Sequence, residues 1–241
     1  GLLSTHEGFA RAREATEKAL AIDPDFARAH ALLGFIAFNF DNDFAGAAKH
    51  LERALALAPT DVSVLGAAAT FLKSLGRLNE ALVVREVLIR RDPVNVTALY
   101  NYGLSLRYAG QFDEAIASYR TVLSLSPNRG GPHEGIGVAL RHRGDATGAL
   151  AEIGQEKTES GRRNFLPMAY DALGRKTDSD AALAALIAKY EKDTAYNIAY
   201  VFAFRAEADK AFEWLDKAVS YGDPGLGEIV GESLFDKIHS D

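Results

Sequence analysis

A period of 34 residues constrains this chain more than any other feature. Prolines 24, 59, 93 and 127 stand 35, 34 and 34 residues apart, and they close the related phrases "ATEKALAIDP", "HLERALALAP", "EVLIRRDP" and "YRTVLSLSP". Glycines 76, 110 and 144 repeat at the same interval in "KSLGRLNEAL", "RYAGQFDEAI" and "RHRGDATGAL". A supersecondary unit repeated at this spacing cannot bury its apolar face alone, so the copies must stack on one another. Within a unit, Ile116, Tyr119 and Leu123 recur at helical rather than strand spacing. The expected unit is two helices, the first stopped by glycine and the second by proline.

The clearest copy, "VTALYNYGLSLRYAGQFDEAIASYRTVLSLSP", resembles the tetratricopeptide repeat. Leu99, Tyr102, Gly103 and Leu106 match its first helix, Phe112, Ala115, Tyr119 and Val122 its second, and Pro127 closes it. The resemblance implies an all-α fold, a right-handed superhelical solenoid of antiparallel helix pairs. Residues 1–26 hold a partial repeat, and residues 27–61, 62–95 and 96–129 are clear repeats. Residues 130–159 and 160–191 are degraded, 192–225 is again a repeat, and 226–241 is expected to cap the array. Pro167 falls at a helix crossing, so that helix is expected to kink or start late. The array is expected to be one continuous domain cut from a longer protein. Residues 165–221 also resemble the repeat-bearing tails of multidomain bacterial signalling proteins, including adenylate cyclases.

The stretch "SPNRGGPHEGIG" invites comparison with a phosphate-binding loop. Ile136 and Gly137 stand where Lys and Ser/Thr would be required, and the preceding segment is helical. Register makes Pro127 the terminator of one repeat and Gly137 the helix-crossing residue of the next. Pro132 suits a first helical turn, and Gly130 and Gly131 are expected to loosen that helix start.

Composition narrows the chemistry. The chain has no cysteine, which excludes disulfides, thiolate metal sites and cysteine nucleophiles, and is in keeping with a cytoplasmic protein. Its net charge of −6 disfavours a general nucleic-acid binder. No apolar run reaches membrane-spanning length and no secretory leader is recognisable. The six histidines contain no HExxH and no i, i+4 pair, and His133 sits at a packing position. No catalytic residue, cofactor or metal is expected, and the chain reads as a non-enzyme.

The resemblance also implies that the first helices line a concave groove. It places Lys73, Arg107 and Arg141 at one equivalent position in consecutive repeats, with Tyr100, Tyr108 and His142 around them. Phe38 and Asn39, beside Phe35, lie toward one end, and Tyr196 and Tyr200, with Phe204, toward the other. Arg and Tyr are over-represented at binding hot spots, and the guanidinium fork suits carboxylates. The partner expected is therefore a protein or peptide, acidic or carboxylate-bearing, and neither a nucleic acid nor a membrane.

The competing reading is a solvated face on which Glu134 pairs with Arg107 and Asp171 with Arg141. A second function, self-association into a homodimer, would use Phe9, Leu234 or Phe235. The carboxylate clamp of chaperone-binding tetratricopeptide domains, which needs Lys and Asn together on one first helix, is not expected, because Ala31 and Phe35, Gly66 and Thr70, or Tyr100 and Leu104 occupy its positions.

The register makes Gly103 a helix-crossing residue, where helices approach to roughly 8–10 Å. Gly103→Leu is expected to cost about 1–3 kcal/mol by overpacking. Thermal unfolding measures it, and an unchanged melting temperature would contradict the register.

Overall fold

The computed structural model describes residues 5–231 and Phe235. Among them are thirteen α-helices, a closing 3-10 segment and no strand. The helices fall into two compact units, residues 1–91 and 92–241.

In the N-terminal unit α1 (Thr5–Ile22) leads into two hairpins, α2 (Ala27–Phe40) with α3 (Phe44–Leu57) and α4 (Val62–Ser74) with α5 (Leu78–Arg91). The C-terminal unit contains α6 (Val96–Tyr108) with α7 (Phe112–Leu125), and α8 (Pro132–His142) with α9 (Ala146–Gln155). Then follow α10 (Glu159–Ala172) with α11 (Lys176–Tyr190), α12 (Ala195–Phe204) with α13 (Ala208–Tyr221), and the 3-10 segment Pro224–Gly231. The fold is all-α, of the helical-repeat solenoid class.

Each hairpin is closed at one recurrent crossing. Ala47, Ala81, Ala115, Ala149, Ser179 and Ala211 lie on successive second helices and are all fully buried. Gly34, Ala69, Gly103, Gly137, Pro167 and Ala199 hold the matching register on the first helices, and Gly34, Gly137 and Pro167 lie directly against Ala47, Ala149 and Ser179. A Cβ on Gly103 would lie 3.0–3.2 Å from the Tyr119 ring, and one on Gly137 would lie 2.6 Å from Ile153. Only small residues permit that approach, which is why the pattern recurs.

The exceptional pair explains itself. Pro167 sits inside α10, where it cannot supply a backbone N–H. Its partner position holds Ser179 instead of alanine, and the Ser179 hydroxyl donates to the Pro167 carbonyl at 2.5 Å. Arg205 in turn donates to the Ser179 oxygen. The helix runs through the proline without ending, so it neither starts late nor stops there.

Side-chain caps set many of the helix starts. Asp43, Asp61, Asn95, Asp145 and Thr158 accept backbone N–H groups from the first turns of α3, α4, α6, α9 and α10. At the turn inside the hairpin, Gly110 takes φ +73°, the left-handed conformation expected there. Ala206 fills the equivalent turn between α12 and α13 at φ +56°, a conformation that is costly for a residue with a Cβ.

Ala206→Gly should therefore raise stability by about 1 kcal/mol. A thermal melt that moves downward, or not at all, would show that this turn carries no strain.

Candidate functional site

The C-terminal unit holds a cleft of about 400 Å³ built by the first helices of its hairpins. Tyr100, Leu104, Arg107 and Tyr108 come from α6 and Glu134 from α8. Asn164 and Phe165 come from α10, with Tyr196, Asn197 and Tyr200 from α12. Pro224 and Gly225 of the 3-10 segment close one end. The helical spacing of Tyr100, Leu104, Arg107 and Tyr108 puts them on one face of α6, and the spacing of Tyr196 and Tyr200 does the same on α12.

Arg107 is the cation of the cleft. Its guanidinium lies 4.6 Å from the centre of the Tyr108 ring and hydrogen-bonds the buried Tyr119 hydroxyl. Glu134 is the anion. Burial pushes its carboxyl up to about 7; Arg107 opposes that rise and Glu156 adds to it. Burial also pushes the Tyr100 hydroxyl up to about 12, with Glu134 reinforcing the shift and Arg107 and Arg129 opposing it. The Oδ1 atom of Asn164 is buried without a hydrogen-bond partner.

Glu156 supports the cleft from behind. It is 1% exposed, and its carboxylate accepts the Gly131 N–H at 2.9 and 3.0 Å, the Glu134 N–H at 3.2 Å and the Thr158 N–H at 2.8 Å. Burial alone would raise its pKa, but the N–H groups of Thr158, Gly131 and Glu134 and the Thr158 hydroxyl hold it below the usual carboxylate range. One side chain thus caps α8 and orders the entry to α10. This corrects the reading of Gly130 and Gly131 as loosening residues. A Cβ on Gly131 would meet the Tyr100 hydroxyl at 2.7 Å, and one on Gly130 would meet Thr158 at 2.3 Å. Both glycines are required by close packing around the Glu156 cap. The signal was present in "GQEKTESGRR", where the terminating proline is missing, but a capping acid 25 residues from the N–H that it accepts has no local pattern.

Of the residues expected in the groove, Tyr100, Arg107, Tyr108, Tyr196 and Tyr200 converge on this cleft. Others lie elsewhere. Arg141 places its guanidinium 4.7 Å from the Phe204 ring centre, and His142 stacks on Phe112 at 4.7 Å. Asp171 lies 3.8 Å from Arg205, which also pairs with Asp180 at 2.8 Å. His133 binds Glu152 at 2.7 Å, a structural role matching its packing position.

The N-terminal unit corrects the expectation of an open surface there. Phe38 is completely buried, with its ring 5.5 Å from Phe35 and 5.3 Å from Phe71. Phe9 of α1 packs 5.1 Å from Phe40 and 6.4 Å from Phe35, so apolar rings pack together on this side of α2. Asn39 donates to the Phe35 carbonyl of its own helix at 3.1 Å. Lys73 is only 5% exposed and does not present an open cation. A separate apolar cleft of about 490 Å³ opens between α3 and α4, walled by Phe44, Leu51, Leu55, Phe71 and Leu75.

Phe235, expected as a self-association residue, is 3% exposed. Its ring lies 5.8 Å from Tyr196 and 6.1 Å from Tyr200, inside its own unit. Leu234 and most of the expected capping segment 226–241 lie outside the described residues.

Comparison with known proteins agrees with the helical-repeat fold. Residues 96–129 and 2–62 match two models of the tetratricopeptide repeat. Those two stretches are tetratricopeptide repeats. Such repeats are in general protein-interaction scaffolds.

A tetratricopeptide repeat and J domain-containing co-chaperone of Fusarium oxysporum f. sp. lycopersici is 33% identical over 115 residues, covering 45% of this chain and 22% of the relative. DnaJ homolog subfamily C member 7 of Mus musculus is 30% identical over 161 residues, covering 65% of this chain and 30% of the relative. The chain thus spans less than a third of the length of these curated relatives. A tetratricopeptide repeat protein from Parabacteroides merdae superposes with a TM-score of 0.66 at 18% identity, covering 95% of this chain and 92% of that one. That likeness supports the fold. Among the described residues no helix is long and apolar enough to cross a membrane, and no group of three or more histidine, aspartate or glutamate side chains could hold a metal ion.

Glu156→Ala would leave the Gly131 and Glu134 N–H groups without their charged acceptor, at a cost of about 1–3 kcal/mol. Amide hydrogen exchange at those two residues measures it directly. Because the folded pKa of Glu156 is depressed, its stabilisation is complete at neutral pH and is lost as pH falls through that lowered value. Unchanged exchange in the variant would show that the cap carries no weight.

Proposed function

We propose that this chain is a non-catalytic protein- or peptide-binding module of a larger bacterial protein. In this reading it receives a carboxylate-bearing segment of its partner in the cleft of the C-terminal unit. The observation that carries the reading is the convergence of Arg107 with Tyr100, Tyr108, Tyr196 and Tyr200 on one concavity lined by four first helices. Arginine offers a carboxylate two parallel donors, and the partly exposed Tyr100 and Tyr108 supply contact area at low conformational cost. Tyr196 and Tyr200, 5% and 4% exposed, form a packed wall of the cleft. The Fusarium relative is by name a tetratricopeptide repeat and J domain-containing co-chaperone, and the match covers only 22% of it, which favours the view of a module. A role as a self-association module finds less support, since Phe235 is already packed against Tyr196 and Tyr200.

Peptide display on the immobilised chain tests the proposal. Enriched peptides should carry a carboxylate beside aromatic or apolar residues. Arg107→Glu should weaken them by about ten- to a hundredfold, the equivalent of one charge-assisted hydrogen-bonded contact. Arg120→Glu, on the exposed face of the second helix α7, should leave binding unchanged. Equal affinity of wild type and Arg107→Glu, with helical content preserved, would remove the cleft as the binding site.

A further inference from the structure

The cleft holds two opposed ionisable groups, and their placement says what a partner must do to bind. Arg107 on α6 and Glu134 on α8 line the same concavity. Glu134 is closely enclosed: a Cβ on Gly161 would lie 2.7 Å from its Oε2 atom, so only the absence of a side chain on α10 leaves room for the carboxyl. Behind it, the Glu156 carboxylate takes the Glu134 backbone N–H at 3.2 Å. The groups that act on Glu134 are Arg107 and Tyr100 of α6, Tyr119 of α7 and Glu156 before α10. The α12 residues lining the cleft with it, Tyr196, Asn197 and Tyr200, are uncharged.

With Glu134 ionised the cleft lining carries one positive and one negative group and is neutral. With Glu134 protonated only Arg107 is charged, and the cleft calls for an anion. We infer that the cleft accepts a partner carboxylate at Arg107 by exchange, the incoming carboxylate displacing the charge of Glu134, which takes up one proton from solvent. This rests on the carboxylate-binding reading above and adds its linkage to protons. The balance is simple: peptide carboxylate and one solvent proton enter, Glu134 becomes a neutral carboxylic acid, and the net charge around Arg107 is unchanged. Burial already holds the Glu134 carboxyl close to neutrality, so the exchange requires little at physiological pH.

The sign follows from linkage. A bound anion makes Glu134 harder to ionise, so binding consumes protons above the free-state pKa of about 7 and none well below it. Affinity should therefore fall by up to about tenfold per pH unit above about pH 7 and level off below about pH 6.

The experiment is calorimetric titration of the whole chain with N-acetyl-Leu-Leu-Tyr bearing a free C-terminal carboxylate, beside the same peptide amidated. Titrations run from about pH 6 to about pH 8.5, in buffers of different ionisation enthalpy. Wild type should bind the free acid with uptake of up to one proton and with the stated decline, and should bind the amide weakly at every pH. Glu134→Gln should bind the free acid with the low-pH affinity throughout and no proton uptake. Binding of the free acid that depends on Arg107 but not on pH would overturn the exchange and leave the cleft reading intact. Affinity that rises with pH, or equal binding of the amide, would overturn a carboxylate at Arg107. No heat with either peptide at any pH would remove both the exchange and the cleft reading.

Discussion

Every hairpin depends on one close approach between its two helices. A glycine, alanine or proline on the first helix faces a buried alanine or serine on the second, and the spacing of larger residues around that crossing follows from it. At Gly103 the facing ring of Tyr119 leaves no room for even a methyl group without displacement. Because the crossing fixes the geometry of the hairpin, it also fixes which face of the first helix turns outward. Arg107 and Tyr108 face the cleft because Gly103 and Leu106 face the second helix.

The degraded repeats are the ones where chemistry accumulates. Loss of the terminal proline after α9 makes way for Glu156, which caps α8 and seats Gly131 against Tyr100. Replacement of the crossing pair by Pro167 and Ser179 adds a hydroxyl that answers the proline carbonyl and is held by Arg205. Both departures remove a generic packing residue and install a polar network, and both lie in the unit that contains the cleft. Glu134 owes its raised pKa to the same packing: Gly161 makes room for the carboxyl to sit half-buried against α10.

The two units treat the equivalent face of their first helices differently. In the C-terminal unit tyrosines, asparagines, Arg107 and Glu134 line a cleft, because polar groups must keep access to water or to a partner. In the N-terminal unit Phe9, Phe35, Phe38, Phe40 and Phe71 pack ring on ring, and burial of apolar surface closes what hydrophilic side chains would have held open.

The helix pairs, their turns and their crossings were legible in the sequence, since each depends on residues within one 34-residue unit: a left-handed glycine, a small residue, a proline that cannot continue a helix. That Tyr100, Arg107 and Tyr108 share one face of α6 was also legible from helical spacing, but not that they meet Tyr196 and Tyr200 in one cleft, because register set those two toward the other end. Burial of Phe38 and Lys73, the stacking of His142 on Phe112, the cap from Glu156 and the enclosure of Glu134 were not. Each arises from contacts between different repeats, where the distance along the chain carries no periodic trace and only packing decides whether a side chain meets water, a ring or a carboxylate.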